Sequence, residues 1–90
     1  MAARIEYKAS IARDLRKLGQ AAAVRVLRTV ERKLASEGQQ GDAISGEFAG
    51  LYRLRVGDYR VIYARTEEGF LVLRIGHRQD VYRRGRPEVN

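Results

Sequence analysis

Tyr52-Arg53-Leu54-Arg55-Val56-Gly57-Asp58-Tyr59-Arg60-Val61-Ile62-Tyr63 reads as two alternating strands joined by a tight turn at Gly57-Asp58. Gly57 at the first central position suits a type II′ hairpin turn, whose first central residue needs a positive φ. Pairing outward from the turn sets Val56 against Tyr59, Leu54 against Val61 and Tyr52 against Tyr63 on a core-facing side. The other side carries Arg53, Arg55, Arg60 and Ile62, with Arg55 directly across from Arg60. Like charges so placed destabilise a sheet. A chain that keeps them there is expected to bind an anion, with phosphate the first expectation. No acidic residue alternates with the arginines in either strand.

Downstream, Glu67-Glu68-Gly69 suits a three-residue hairpin loop with its glycine in the left-handed position. Phe70 to Ile75 then supplies a third strand. In that register Val72, Arg74, Gly76 and Arg78 join the arginine face, and Gly76 lies opposite Arg60, leaving space there. The expected surface is an open patch with up to five guanidiniums: Arg53, Arg55, Arg60, Arg74 and Arg78. Arginine suits phosphate because its planar fork donates two hydrogen bonds at once and stays charged. Tyr82 follows the strand beside this patch, placed either for stacking on a base, for proton transfer, or for simple packing. His77 is the only side chain with an unperturbed pKa near neutrality. Strand parity turns it away from the arginine face, so it is both a structural and a catalytic candidate. Asp58 reads as a turn residue, and Asp80 as a strand-end residue able to orient Arg78 through an ion pair.

Upstream, Arg4 to Lys8 alternates polar and apolar and reads as a short opening strand. Ser10 is placed to cap a helix on which Ile11, Leu15 and Leu18 recur at helical spacing until Gly19. A second helix is expected from Ala21 to about Glu37, with Ala23, Leu27, Val30 and Leu34 as its buried stripe and Gly38 at its end. Residues 38–50 read as a loop. The order β-α-α-β-β-β defines an α+β fold, a helix pair packed on a small, mainly antiparallel sheet, in one domain over residues 1–90. The outer helix faces are basic, with Arg13, Arg16 and Lys17 on the first helix and Arg25, Arg28 and Arg32 on the second. They serve either as a solvated surface or as an auxiliary contact to an RNA backbone.

Composition narrows the function. The 90 residues are 44% hydrophobic and 32% charged, as in an ordered globular chain. The net charge of +7 points to a polyanionic partner. No apolar run approaches the roughly 20 residues that span a bilayer, and no secretory leader is evident. The chain has no cysteine and one histidine, so thiolate and zinc chemistry are not expected. The expectation is a cytoplasmic protein without a metal or small-molecule cofactor.

The run Gly50 to Tyr63, followed by Ile75-Gly76-His77-Arg78 and Asp80-Val81-Tyr82, resembles the RelE branch of the RelE/ParE toxin superfamily, over nearly the whole chain. That resemblance implies the toxin of a type II toxin–antitoxin pair, a metal-independent endoribonuclease (mRNA interferase) that cuts mRNA in the ribosomal A site and stops translation. It implies attack by the ribose 2′-oxygen on the adjacent phosphate. By the same resemblance, Arg53 and Arg55 match a basic pair, Arg60 a phosphate-contacting arginine, Arg78 a basic residue ending the last strand, and Tyr82 a base-stacking tyrosine. Some members carry lysine where this chain has Arg53 and Arg55. Arginine effectively cannot lose its proton, so the general base stays open between His77 and Tyr82. The implied partners are a cognate antitoxin and the ribosome with its A-site mRNA, with no membrane and no small-molecule cofactor. The alternative is a ParE-like protein that inhibits DNA gyrase by binding, without nuclease chemistry.

Overall fold

The structure, a computed structural model, describes residues 3–36 and 41–89. Strand β1 (Arg4–Tyr7) leads into helices α1 (Ile11–Leu18) and α2 (Gln20–Ala35). Strands β2 (Asp42–Ala43), β3 (Tyr52–Val56), β4 (Tyr59–Arg65) and β5 (Gly69–His77) follow. Two one-turn 3-10 helices, Gly46–Phe48 and Asp80–Tyr82, flank the meander. The sheet runs β1-β5-β4-β3-β2, antiparallel except where β1 lies parallel to β5. The connection from β1 to β5 contains the helix pair and the three other strands, well beyond the length that a parallel pair requires.

The β3–β4 hairpin has the expected register, with Arg55 opposite Arg60 and Leu54 opposite Val61. Gly57 has φ 58°, and no non-glycine residue described has positive φ, as a type II′ turn demands. The next connection departs from expectation. Gly69 is not in the left-handed region; it is the first residue of β5, paired with Arg4. Its carbonyl accepts the Thr66 N–H at 2.8 Å, so only Glu67 and Glu68 form the loop. A Cβ at Gly69 would stand 2.0 Å from the Arg4 carbonyl oxygen, so close approach of β1 is what demands glycine there.

A shorter loop alone would have reversed the parity of β5. An irregularity between Ile62 and Tyr63 restores it. Tyr63 pairs with Val72 but Ile62 with Arg74, which leaves Leu73 as an extra residue on β5. Such a bulge re-aims the side chains beyond it. Arg74 and Gly76 therefore reach their expected partners, Ile62 and Arg60, whereas Val72 belongs to the helix-side core instead of the arginine face.

Gly19, at φ 88°, separates the two helices. Ser10 makes no side-chain capping bond, contrary to its reading as a cap. On α2 the fully buried stripe is Val26, Val30 and Leu34. Ala23 and Leu27 sit at its margin, half-buried, one step round from the line that meets the sheet. The expected end of α2 at Glu37 and Gly38 lies outside the described residues. The stripe packs with Ile11, Leu54, Val61, Tyr63, Phe70 and Ile75 into the main core. Segment 38–50 is not wholly a loop, since it contributes β2 and the first 3-10 turn.

Against the expectation of an open arginine face, the far side of the sheet holds a second core. Phe48, Leu51, Ile62, Ala64, Leu73 and Val81 are buried together there, beneath the two 3-10 turns. The space expected at Gly76 is filled as well: a Cβ there would meet Val81 Cγ1 at 3.1 Å.

Asp14, on α1, is buried at 5% exposure and its Oδ2 accepts the Ile75 N–H at 3.0 Å. β1 pairs with β5 only as far as Val72, so this carboxylate takes over the strand edge where β1 stops. Asp14→Ala is expected to destabilise the fold by about 1–3 kcal/mol, because it strands a buried amide donor. Asp14→Asn, which keeps an acceptor, should recover most of that loss in a urea denaturation series.

Candidate active site

The hairpin places three arginines on one side of β3 and β4. Arg55 is exposed, while Arg53 and Arg60 are half-buried. Arg60 Nη1 donates to the carbonyls of Gly57 at 2.8 Å and Tyr59 at 2.9 Å, which pins its guanidinium to the turn. Arg53 Nη1 donates to the Tyr82 hydroxyl at 3.2 Å. That contact joins residues 29 positions apart and brings the second 3-10 turn to the arginine face. The Tyr82 ring meets Phe48 edge-on at 5.4 Å, so the tyrosine is held from two sides. Arg53 Nε is buried without a hydrogen-bond partner.

Arg78 is exposed at the end of β5, and its N–H donates to the Asp58 carbonyl at 2.8 Å, which ties that strand end to the hairpin turn. The expected Arg78–Asp80 ion pair does not form; Asp80 pairs with Arg83 at 3.5 Å, one helical turn away in the 3-10 segment. Arg74 also leaves the expected patch. It is buried at 8% exposure, and Nη1 donates to the carbonyls of Val81 at 2.6 Å and Gly85 at 2.8 Å. Burial, with the neighbouring Arg84 charge, lowers its pKa, and Asp14 acts against them. His77 pairs with Tyr59 across the sheet and meets that ring edge-on at 6.1 Å, with the parity that turns it from Arg60.

One acidic residue near the arginines escaped the sequence reading. Asp42, on β2, lies 4.0 Å from Arg53 Nη2 and 3.9 Å from Arg55 Nε. It sits in a glycine-rich stretch with no periodicity to mark a strand. Gly41 sets its position, since a Cβ there would stand 2.0 Å from the Arg53 carbonyl oxygen. The Gly41 N–H also donates to the Tyr63 hydroxyl at 2.8 Å, on a phenol whose pKa burial raises. Asp42 is exposed and offsets part of the Arg53 and Arg55 charge, but no ion pair reaches Arg60 or Arg78 among the described residues. Nor do the described residues contain a cluster of three His, Cys, Asp or Glu able to hold a metal.

These residues form a basic surface on an α+β fold. Residues 5–82 match the family described as the ParE toxin of the type II toxin–antitoxin system parDE. The chain therefore belongs to the RelE/ParE toxin superfamily, and is the toxin of a type II toxin–antitoxin system. Among solved structures it is similar to the Mycobacterium tuberculosis toxin–antitoxin complex RelBE2, with 28% identity over 89% of this chain and 95% of the other and a TM-score of 0.76. The fold also matches a double arginine-to-alanine mutant of the Escherichia coli toxin RelE in the free state, with 18% identity, coverage of 91% and 88% and a TM-score of 0.63. A conserved hypothetical protein of Helicobacter pylori matches with 17% identity, coverage of 89% and 99% and a TM-score of 0.65. No curated protein matches by sequence.

Proposed function

We propose that this toxin is a ribosome-dependent endoribonuclease that cleaves mRNA in the A site. The observation that carries the reading is the cross-strand pair Arg55 and Arg60, kept despite its repulsion and flanked by Arg53 in contact with Tyr82. In the cleavage the ribose 2′-oxygen forms a bond to the adjacent phosphorus and the bond from phosphorus to the 5′-oxygen breaks. The 2′-hydroxyl proton passes to a base, and the leaving 5′-oxygen takes up a proton. The products are a cyclic phosphate and a free 5′-hydroxyl.

Arg55, Arg60 and Arg78 stabilise the negative charge that builds on the phosphoryl oxygens. Of the two candidate bases, Tyr82 shares the arginine face and His77 does not, which favours Tyr82 for contact with the substrate. The ribosome supplies alignment of nucleophile and phosphate, an effect large enough to carry a site with few acid–base groups. Such a protein acts in the cytoplasm, and its cognate antitoxin neutralises it by covering the basic face.

The test is cleavage in a purified translation system, with programmed ribosomes set against naked RNA. Cuts confined to A-site codons are expected. The match to the family described as the ParE toxin favours a second reading, inhibition of DNA gyrase by binding. Intact mRNA together with blocked supercoiling by purified gyrase would assign the protein to it.

A further inference from the structure

Arg74 is not used by the cleavage chemistry, and its surroundings are unusual for a buried cation. Both hydrogen bonds it makes go to neutral carbonyls, and no carboxylate lies within 4.0 Å of it among the described residues. Asp14 acts on its charge from farther off, but one oxygen of Asp14 holds the Ile75 N–H and the other faces Arg84 at 3.8 Å. Buried charges are ordinarily paired, because an unpaired one forfeits its hydration without return.

A cavity of about 260 Å³ opens beside Arg74, lined also by Lys8, Arg13, Arg84 and Arg86. Among the described residues its acidic lining is Asp14 and Glu88. The Lys8 ammonium donates to the Glu88 main-chain carbonyl at 2.7 Å, so that bond neutralises nothing. Ser10, whose hydroxyl makes no capping bond, stands in the same wall. None of Arg53, Arg55, Arg60, Arg78 or Tyr82 lines this cavity.

We propose that the cavity is a second anion site, separate from the hairpin arginines, that takes a phosphate group, supplied as free inorganic phosphate or as the phosphodiester of a polynucleotide. A tetrahedral oxyanion there gives the Arg74 charge its missing partner and bridges α1 to the chain after Tyr82. The site stands whether or not the toxin cleaves mRNA.

Nuclear magnetic resonance titration of the purified toxin with inorganic phosphate, against chloride at equal ionic strength, tests it. Resonances of Ser10, Arg13 and Arg84 are expected to shift. Arg13→Gln and Arg84→Gln should each weaken phosphate binding about tenfold or more, as loss of a charge-assisted hydrogen bond does. Arg13 is exposed on α1, so its variant keeps the fold, and Arg55→Gln should leave binding at this cavity unchanged. Shifts confined to the hairpin, or rim variants that bind phosphate like the parent, would overturn the proposal. A short single-stranded oligoribonucleotide distinguishes the sources. If it shifts the same rim resonances, and loses affinity in Arg13→Gln, the ligand is a phosphodiester. If it shifts the hairpin alone while phosphate still fills the cavity, the ligand is free phosphate.

Discussion

Arg60→Ala is expected to slow A-site mRNA cleavage about 100- to 1000-fold, the loss typical when one preorganised donor to a developing oxyanion is removed. Arg60 is the clearest choice because its guanidinium is already fixed, through the Gly57 and Tyr59 carbonyls, and no carboxylate pairs with it among the described residues. The substitution has opposing effects on the fold: it gives up those two bonds to the turn, yet it relieves repulsion from Arg55 across the ladder. The variant should therefore stay folded and still bind its antitoxin through the rest of the basic face. Arg60→Lys keeps the charge but loses the planar fork, so its rate should fall between the two. Single-turnover cleavage on programmed ribosomes, with a thermal melt of each variant, is the measurement. An Arg60→Ala protein that cuts at the parent rate would remove Arg60 from the site.

Gly69→Ala should be among the most damaging small changes to the fold, as should Gly41→Ala, where a Cβ meets the Arg53 carbonyl oxygen equally closely. At Gly69 the added methyl meets the Arg4 carbonyl oxygen at 2.0 Å, and a backbone atom cannot swing aside as a side chain does. The expected loss is about 3 kcal/mol, the upper end for overpacking, which lowers the melting temperature of a domain this size by about 12–24 °C. Gly46→Ala is the control. It has positive φ but nothing within 4 Å, so only the backbone penalty of about 1 kcal/mol applies. Equal melting of Gly69→Ala and the parent would mean that β1 does not pack closely on β5.

How much was legible differs along the chain. The Arg55–Arg60 pair could be read because Gly57 fixes the turn and strict alternation fixes the rest. The bulge at Leu73 could not, since Leu71-Val72-Leu73 is apolar at every position and gives no parity to read. The second core did leave a trace: Val61-Ile62-Tyr63-Ala64 is a continuous apolar run, the mark of a strand buried on both faces. Asp14 carried no local sign, because its partner, the Ile75 amide, lies 61 residues away. Within the candidate site, the four hairpin and strand-end residues follow from strand geometry. The Arg53–Tyr82 contact depends on the path of the chain after β5, which that polar segment does not encode in any periodicity.

The parallel pairing of β1 with β5 also bears on the order in which the toxin is made. β5 lies inside the sheet, between β1 and β4, yet is the last strand in sequence among the described residues, and both cores close on it. A nascent chain lacking residues 69–77 has β1 without a neighbour, Asp14 without the Ile75 amide and the hairpin without its floor. Domains form as units during synthesis, so this one is assembled only after β5 has been translated. A chain stopped short of β5 is therefore not a folded toxin.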